Sequence, residues 1–171
     1  MLNIFNDMWP FFHDAYAKFS MSAYAEKLGV SIPTARTILL NLEREKYLSS
    51  VKQYNAREFR VIRGERYTKL LNTYWYLKIY ESGLLDALAE SFVVKSIVLF
   101  GSVQKAELTP QSDIDIAVIG TKLDEFDERP FEKKLGREIQ LLVVETQEQK
   151  KTNVFKNIQK GYVLSGKNEL V

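Results

Sequence analysis

The sequence predicts an α+β protein built in two parts. A helical N-terminal part closes on a β-hairpin, and a second part carries a mixed sheet flanked by helices. Three observations lead there. Helical spacing runs from Ser22 to Arg44 and is followed at once by two short strand-like stretches, Leu48–Lys52 and Glu58–Ile62. The apolar run Ile97-Val98-Leu99-Phe100 leads straight into Gly101-Ser102. Ten residues later, Asp113-Ile114-Asp115-Ile116-Ala117-Val118-Ile119 alternates as a strand with two carboxylates on one face.

Composition sets the bounds. The 171 residues suffice for one domain or two small ones, and 46% hydrophobic with 27% charged residues describes a globular, water-soluble chain. No apolar run reaches the ~20 residues of a membrane span, and the first residues do not read as a signal peptide. Cysteine is absent, which excludes disulfides and thiolate zinc sites and fits a cytoplasmic protein. Net charge is only +2, yet Ser31–Arg66 holds eight Lys/Arg against four Asp/Glu. A local basic excess of this kind marks a nucleic-acid candidate.

In chain order, the aromatic stretch Trp9–His13 leads into a helix through Phe19, with the lone His13 a packed or surface-exposed residue rather than a ligand. Tyr24, Ala25 and Leu28 share a helical face that stops at Gly29. Ser31 caps the next helix and Pro33 sits in its first turn. Ala35, Ile38, Leu39 and Leu42 form its apolar face, and Thr34, Arg36, Thr37, Asn41 and Arg44 lie opposite. Gln53–Arg57 is the polar turn of the hairpin that follows. Helix over Tyr67–Phe92 breaks at Gly83. Its stripe Tyr74, Trp75, Tyr76, Tyr80 reads as core or dimer interface. Lys122–Arg129 is a solvated, charged loop or frayed helix, Phe131–Leu135 a helix, Arg137–Val144 a third strand and Gln147–Lys160 an amphipathic helix, before a Gly-bounded ending at Gly161–Gly166.

The chemistry gathers at Gly101 to Asp115. Asp113 and Asp115 stand about 6–7 Å apart along their strand. Like charges that close call for a cation or a raised pKa, and hard oxygen ligands favour Mg²⁺ shared with a phosphate. Glycine at a strand end lets backbone approach a ligand, and a helix opening at Ser102 offers N–H groups to phosphate.

These residues carry a resemblance. Gly101-Ser102 followed by Asp113-x-Asp115, each after an apolar strand, resembles the DNA polymerase beta-like nucleotidyltransferases, especially their minimal branch. The helix pair Ala25–Ser31 and Thr34–Arg44 with its hairpin resembles a winged helix-turn-helix. The first resemblance implies Asp113 and Asp115 as ligands of Mg²⁺ and a nucleoside triphosphate, foremost ATP, held by Gly101, Ser102, Lys105 and Ser112. The second implies double-stranded DNA bound through Thr34, Arg36, Thr37, Asn41, Arg44, Lys52, Arg57 and Arg60, by a homodimer. The implied division is residues 1–66 and 67–171.

Two positions depart from the nucleotidyltransferase pattern. Ala106 stands where the family commonly has glycine. Active members also place a third carboxylate on the next strand, where Gln140 stands between Ile139 and Leu141, with Glu138 two residues earlier on the same face. One function implied is therefore a DNA-binding transcriptional regulator whose nucleotidyltransferase-like domain binds Mg-nucleotide and is catalytically degenerate. The alternative is an active enzyme, with Glu138 beside Asp113 and Asp115. It would transfer a nucleotidyl group to a small molecule or to a protein such as a partner toxin.

Overall fold

The computed structural model describes residues 3–53, 56–145 and 153–166. Its elements run α1 (Asn3–His13), α2 (Met21–Leu28), α3 (Ile32–Arg44), β1 (Leu48–Gln53), β2 (Ala56–Val61), α4 (Glu65–Ser82), α5 (Leu84–Ser91) and β3 (Phe92–Phe100). They continue with α6 (Gly101–Gln104), β4 (Ile114–Lys122), α7 (Arg129–Leu135), β5 (Ile139–Val144), α8 (Asn153–Gln159) and β6 (Tyr162–Gly166). The chain is thus α+β, with a two-stranded hairpin and a four-stranded mixed sheet. It divides into two compact units, the first Met1–Leu70 with Glu107–Pro110 and the second Leu71–Ala106 with Gln111–Val171. No helix among the described residues is long and apolar enough to cross a membrane.

In the first unit the local signals act as expected. Gly29 ends α2 in the left-handed region, with φ 69°, and its N–H returns to the last turn. Ser31 caps α3 by accepting from the Thr34 N–H at 3.3 Å, and Pro33 occupies the first turn. Ala35, Leu39 and Leu42 are buried, whereas Ile38 is only half-buried. α1 stops at His13 and does not continue to Phe19. A turn forms there because Asp14 Oδ1 accepts from the Tyr16 N–H at 2.9 Å. The chain then extends, and Phe19 exchanges backbone hydrogen bonds with Phe59 of β2 at 3.0 and 2.8 Å. That cross-chain pairing overrides the helical pattern. The strands of the hairpin reach Gln53 and Ala56, so the turn is shorter than the sequence implied, and Tyr54 and Asn55 lie outside the described residues. His13 packs edge-on to Trp9 at 5.5 Å between ring centroids.

In the second unit the sheet order is β5-β4-β3-β6. β3 is antiparallel to β4 and β6, and β4 is parallel to β5. β3 and β4 are buried on both faces, which explains their near-continuous apolar sequence. One face, with Val98, Phe100, Ala117, Ile119 and Val144, is covered by Phe155 and Ile158 of α8. The Gly161–Gly166 ending supplies β6, a strand the sequence did not announce. β4 runs on through Lys122, where a loop was expected, and the loop proper is 123–128. Gly83 breaks α4 from α5 with φ 81°. The aromatic stripe splits: Tyr74 and Trp75 are buried, and Tyr80 is 62% exposed. The proposed helix at Gln147–Lys160 is seen from Asn153, and 147–152 lie outside the described residues.

Candidate functional site

The site forms where β3 ends. Phe100 pairs with Asp115, so the strand delivers the glycine turn to the carboxylate that opens β4. Gly101 takes φ +70°, and a Cβ there would lie 1.8 Å from Asp115 Oδ2. Two constraints therefore demand glycine at this position: the left-handed backbone and the carboxylate pressed against its Cα. The chain then turns into α6, whose Ser102 N–H donates a hydrogen bond to the Asp115 carboxylate. The α6 loop is braced by Asn72 of α4, whose Nδ2 donates to the Gln104 carbonyl at 3.2 Å.

Charge at this corner is concentrated. Burial raises the Asp115 pKa above the usual carboxylate range, and the neighbouring Asp113 adds to the rise. The Ser102 N–H and the Lys105 ammonium act in the opposite direction. Asp113 itself is exposed. The Ser102 hydroxyl is buried and has no hydrogen-bond partner among the described residues. A half-buried carboxylate, a second carboxylate two residues away and an orphaned hydroxyl fit a divalent cation carrying a phosphate.

The neighbouring strand decides what can complete the site. In the parallel ladder Asp115 stands opposite Gln140, about 4.8 Å away by strand spacing. Gln140, Leu142 and Val144 share the face of Asp115, Ala117 and Ile119 by alternation. Glu138 precedes the ladder, and its carbonyl accepts from the Ile114 N–H at 2.9 Å. Among the described residues no three acidic, histidine or cysteine side chains gather closely enough to hold one ion. Glu138 is exposed two residues before Gln140, on the same strand face. What the arrangement offers is two carboxylates, an amide and a glycine turn.

Two features had no clear signal in the sequence. Arg137 is 8% exposed, lies over the Trp75 ring at 5.4 Å, and donates from Nη1 to the Ser112 carbonyl at 2.5 Å. It thereby fixes the backbone one residue before Asp113. A charged residue in front of a strand reads as solvated, so only the packing exposes this role. Ala106 adopts φ +56° while 5% exposed, so it keeps the left-handed turn that glycine would adopt without strain. Ser112 contributes its carbonyl to Arg137, and Lys105 is exposed beside the turn.

The basic side chains of the first unit fall into two groups. Thr34, Arg36, Thr37, Asn41 and Arg44 are all exposed on α3. The two threonine hydroxyls are engaged locally, Thr34 with Ser31 at 2.8 Å and Thr37 with the Pro33 carbonyl at 3.1 Å. On the hairpin, Lys52 and Arg57 are paired across the strands and share the face of Ser50, Phe59 and Leu48. Arg57 is tied to Glu43 of α3 at 2.6 Å and to Ser50 Oγ at 2.6 Å. Those contacts hold the Glu43 carboxyl below its usual range, the Ser50 hydroxyl being the largest cause. Arg60 is different. It pairs with Ser49 on the opposite face of the hairpin, turned away from Lys52 and Arg57.

A strand, a glycine turn and a carboxylate-bearing strand in this order are consistent with a nucleotidyltransferase-type sheet. The family model for polymerase beta nucleotidyltransferases matches residues 84–170, just over half of the chain. The chain belongs to the polymerase beta nucleotidyltransferase family. No curated protein and no solved structure matches it.

Proposed function

We propose that the protein is a DNA-binding regulator whose second unit binds a magnesium nucleoside triphosphate and transfers its nucleotidyl group, with loss of pyrophosphate, poorly or not at all. The observation that carries this reading is the pairing of Asp115 with Gln140. An amide cannot serve as a base and is a weak ligand for Mg²⁺. In this reading Asp113 and Asp115 hold the ion, while Gly101 and the unpartnered Ser102 hydroxyl orient the phosphates. Lys105 adds positive charge at the turn, and Arg137 holds the start of β4 through Ser112. When bound, Mg²⁺ would neutralise phosphate charge and acidify an acceptor hydroxyl. Without an anion at position 140, the side that must receive the acceptor hydroxyl lacks a group to orient it.

For the first unit, the capped α2–α3 pair, the hairpin pinned to α3 by Arg57 and Glu43, and five exposed polar or basic side chains on α3 support a winged helix-turn-helix. Arg36, Asn41 and Arg44 are the side chains for base edges, with Lys52 near the phosphates. A homodimer on a palindromic duplex and a cytoplasmic location complete this reading.

A second reading is favoured by Glu138, which is exposed and shares the strand face of Gln140. There the protein is an active nucleotidyltransferase, with a protein or small molecule as acceptor, and Glu138 is essential.

Calorimetry with ATP, GTP and CTP tests the nucleotide reading. Binding that needs Mg²⁺ and disappears in Asp113→Asn/Asp115→Asn is expected. Absence of binding at millimolar nucleotide, or binding indifferent to that double variant, would contradict it.

A further inference from the structure

The outer face of the hairpin carries a site that neither proposed activity uses. After its turn at Asp14, the extended stretch Ala15–Phe19 joins the hairpin through the mutual Phe19–Phe59 hydrogen bonds. Between that stretch and the hairpin lies a groove of about 560 Å³, lined in part by Tyr16, Lys18, Ser49, Arg60, Ile62 and Arg63. A smaller cavity of about 240 Å³, shared by Lys18 and Arg60, extends it past Val51 and Glu58. The combined size is that of a small-molecule site.

The charge in the groove is unbalanced. Lys18, Arg60 and Arg63 all line it, and among the described residues none of them lies within ion-pair distance of a carboxylate. Glu58, at the far end, is the one acidic side chain lining either cavity. Three cations that share a concavity repel one another until an anion enters, and arginine is the side chain best shaped for phosphate. The Arg63 guanidinium lies 3.9 Å from the centroid of the Tyr16 ring, which is 53% exposed. That pair presents a flat, polarisable surface next to the cations. Aromatic and guanidinium planes of this kind accept a nucleobase by stacking.

We propose that this groove is a second nucleotide site, which holds the phosphate of a nucleoside monophosphate with Lys18 and Arg60 and stacks its base on the Arg63–Tyr16 pair. A small ligand is favoured over a duplex backbone because the cations line a cleft on the hairpin face opposite Lys52 and Arg57. The site would let the first unit respond to nucleotide independently of Gly101 and Asp115.

The test titrates AMP into the full-length protein in EDTA, which removes metal-dependent binding elsewhere. Lys18→Glu/Arg60→Glu should weaken AMP at least about tenfold, and Tyr16→Ala should weaken it several-fold. Asp113→Asn/Asp115→Asn should leave it unchanged. Hydrogen exchange should slow in 15–18 and 60–63 on AMP addition. Thermal unfolding checks that the charge-reversed protein folds, and Lys18→Gln/Arg60→Gln replaces it if it does not. Three results would overturn the proposal: no AMP binding at millimolar concentration, affinity unchanged by the groove variants, or loss of binding in the Asp113/Asp115 variant instead. A duplex-DNA titration forms the last arm. Groove variants that weaken duplex binding in a protein indifferent to AMP would assign the groove to nucleic-acid backbone and likewise overturn it.

Discussion

The turn at Gly101–Asp115 and the exposed face of α3 both present polar groups to a ligand, but on opposite energetic terms. On α3 the polar groups are solvated or already bonded: Thr34 to Ser31 and Thr37 to Pro33. At the β3–β4 corner a carboxylate is raised by burial, and the Ser102 hydroxyl is buried without a partner among the described residues. Buried polar groups left unsatisfied cost stability, so the raised Asp115 carboxylate and the orphaned Ser102 hydroxyl both weigh against the fold. The comparison teaches that the corner is shaped against the interest of the empty fold, whereas the α3 face would be equally content in water.

The largest expected effect strikes the corner. Gly101→Ala drives a Cβ into Asp115 and strains a left-handed residue, so it should destabilise the protein by about 2–4 kcal/mol and abolish nucleotide binding. Urea unfolding and calorimetry together measure it. If stability barely falls, Asp115 moves freely and the corner is not preorganised.

Arg137→Met comes next. It removes a nearly buried guanidinium from the Ser112 carbonyl, at an expected loss of about 1.5–3 kcal/mol, with weakened nucleotide binding through a loosened Asp113. Intact nucleotide affinity in a destabilised variant would make Arg137 a packing residue alone.

Asp115→Asn sharpens the contrast because stability and function should part. The Asp115 pKa is higher in the folded chain than in the unfolded one. The folded state therefore holds the extra proton between those two values, and ionised Asp115 lowers stability at neutral pH. The variant should raise the thermal midpoint at pH 7 and lose that advantage as pH falls into the usual carboxylate range, while losing Mg²⁺-dependent binding. A lower midpoint at pH 7 would contradict the burial account.

The smallest effect is on the α3 side. Arg57→Ala breaks an exposed ion pair with Glu43, worth within about 1 kcal/mol. The depressed Glu43 pKa means that this contribution is present above the usual carboxylate range and fades as pH falls through the folded value. Acid titration of unfolding should show a shallower dependence in the variant. In mobility shifts Arg57→Ala should weaken all duplexes alike, and Asn41→Ala should change the preference among them.

Much of this contrast was legible in the sequence, for physical reasons that differ by element. Ser31, Pro33 and Gly29 act within a few residues of their own backbone, so α2 and α3 could be read locally. Gly101-Ser102 and Asp113-x-Asp115 were legible because strand alternation fixes which side chains share a face. The Phe19–Phe59 pairing was not, because it joins residues far apart in the chain and displaces a plausible helix. β6 is short and ends at glycine, so it looked like a tail. Arg60 read as one more cation of the hairpin until the register placed it on the other face from Lys52 and Arg57. The β4–β5 register that sets Gln140 opposite Asp115 was not legible either, because spacing alone does not determine it.

That register bears on the central claim, that the missing anion at position 140 separates nucleotide binding from nucleotidyl transfer. The direct measurement is a transfer assay with α-labelled ATP, Mg²⁺ and cell extract as acceptor, comparing wild type, Gln140→Asp and Glu138→Gln at matched nucleotide occupancy. The account predicts little transfer by the wild type, a gain with Gln140→Asp that depends on Asp113 and Asp115, and no change with Glu138→Gln. Robust wild-type transfer that disappears in Glu138→Gln would contradict it and make this an enzyme with its third carboxylate at Glu138.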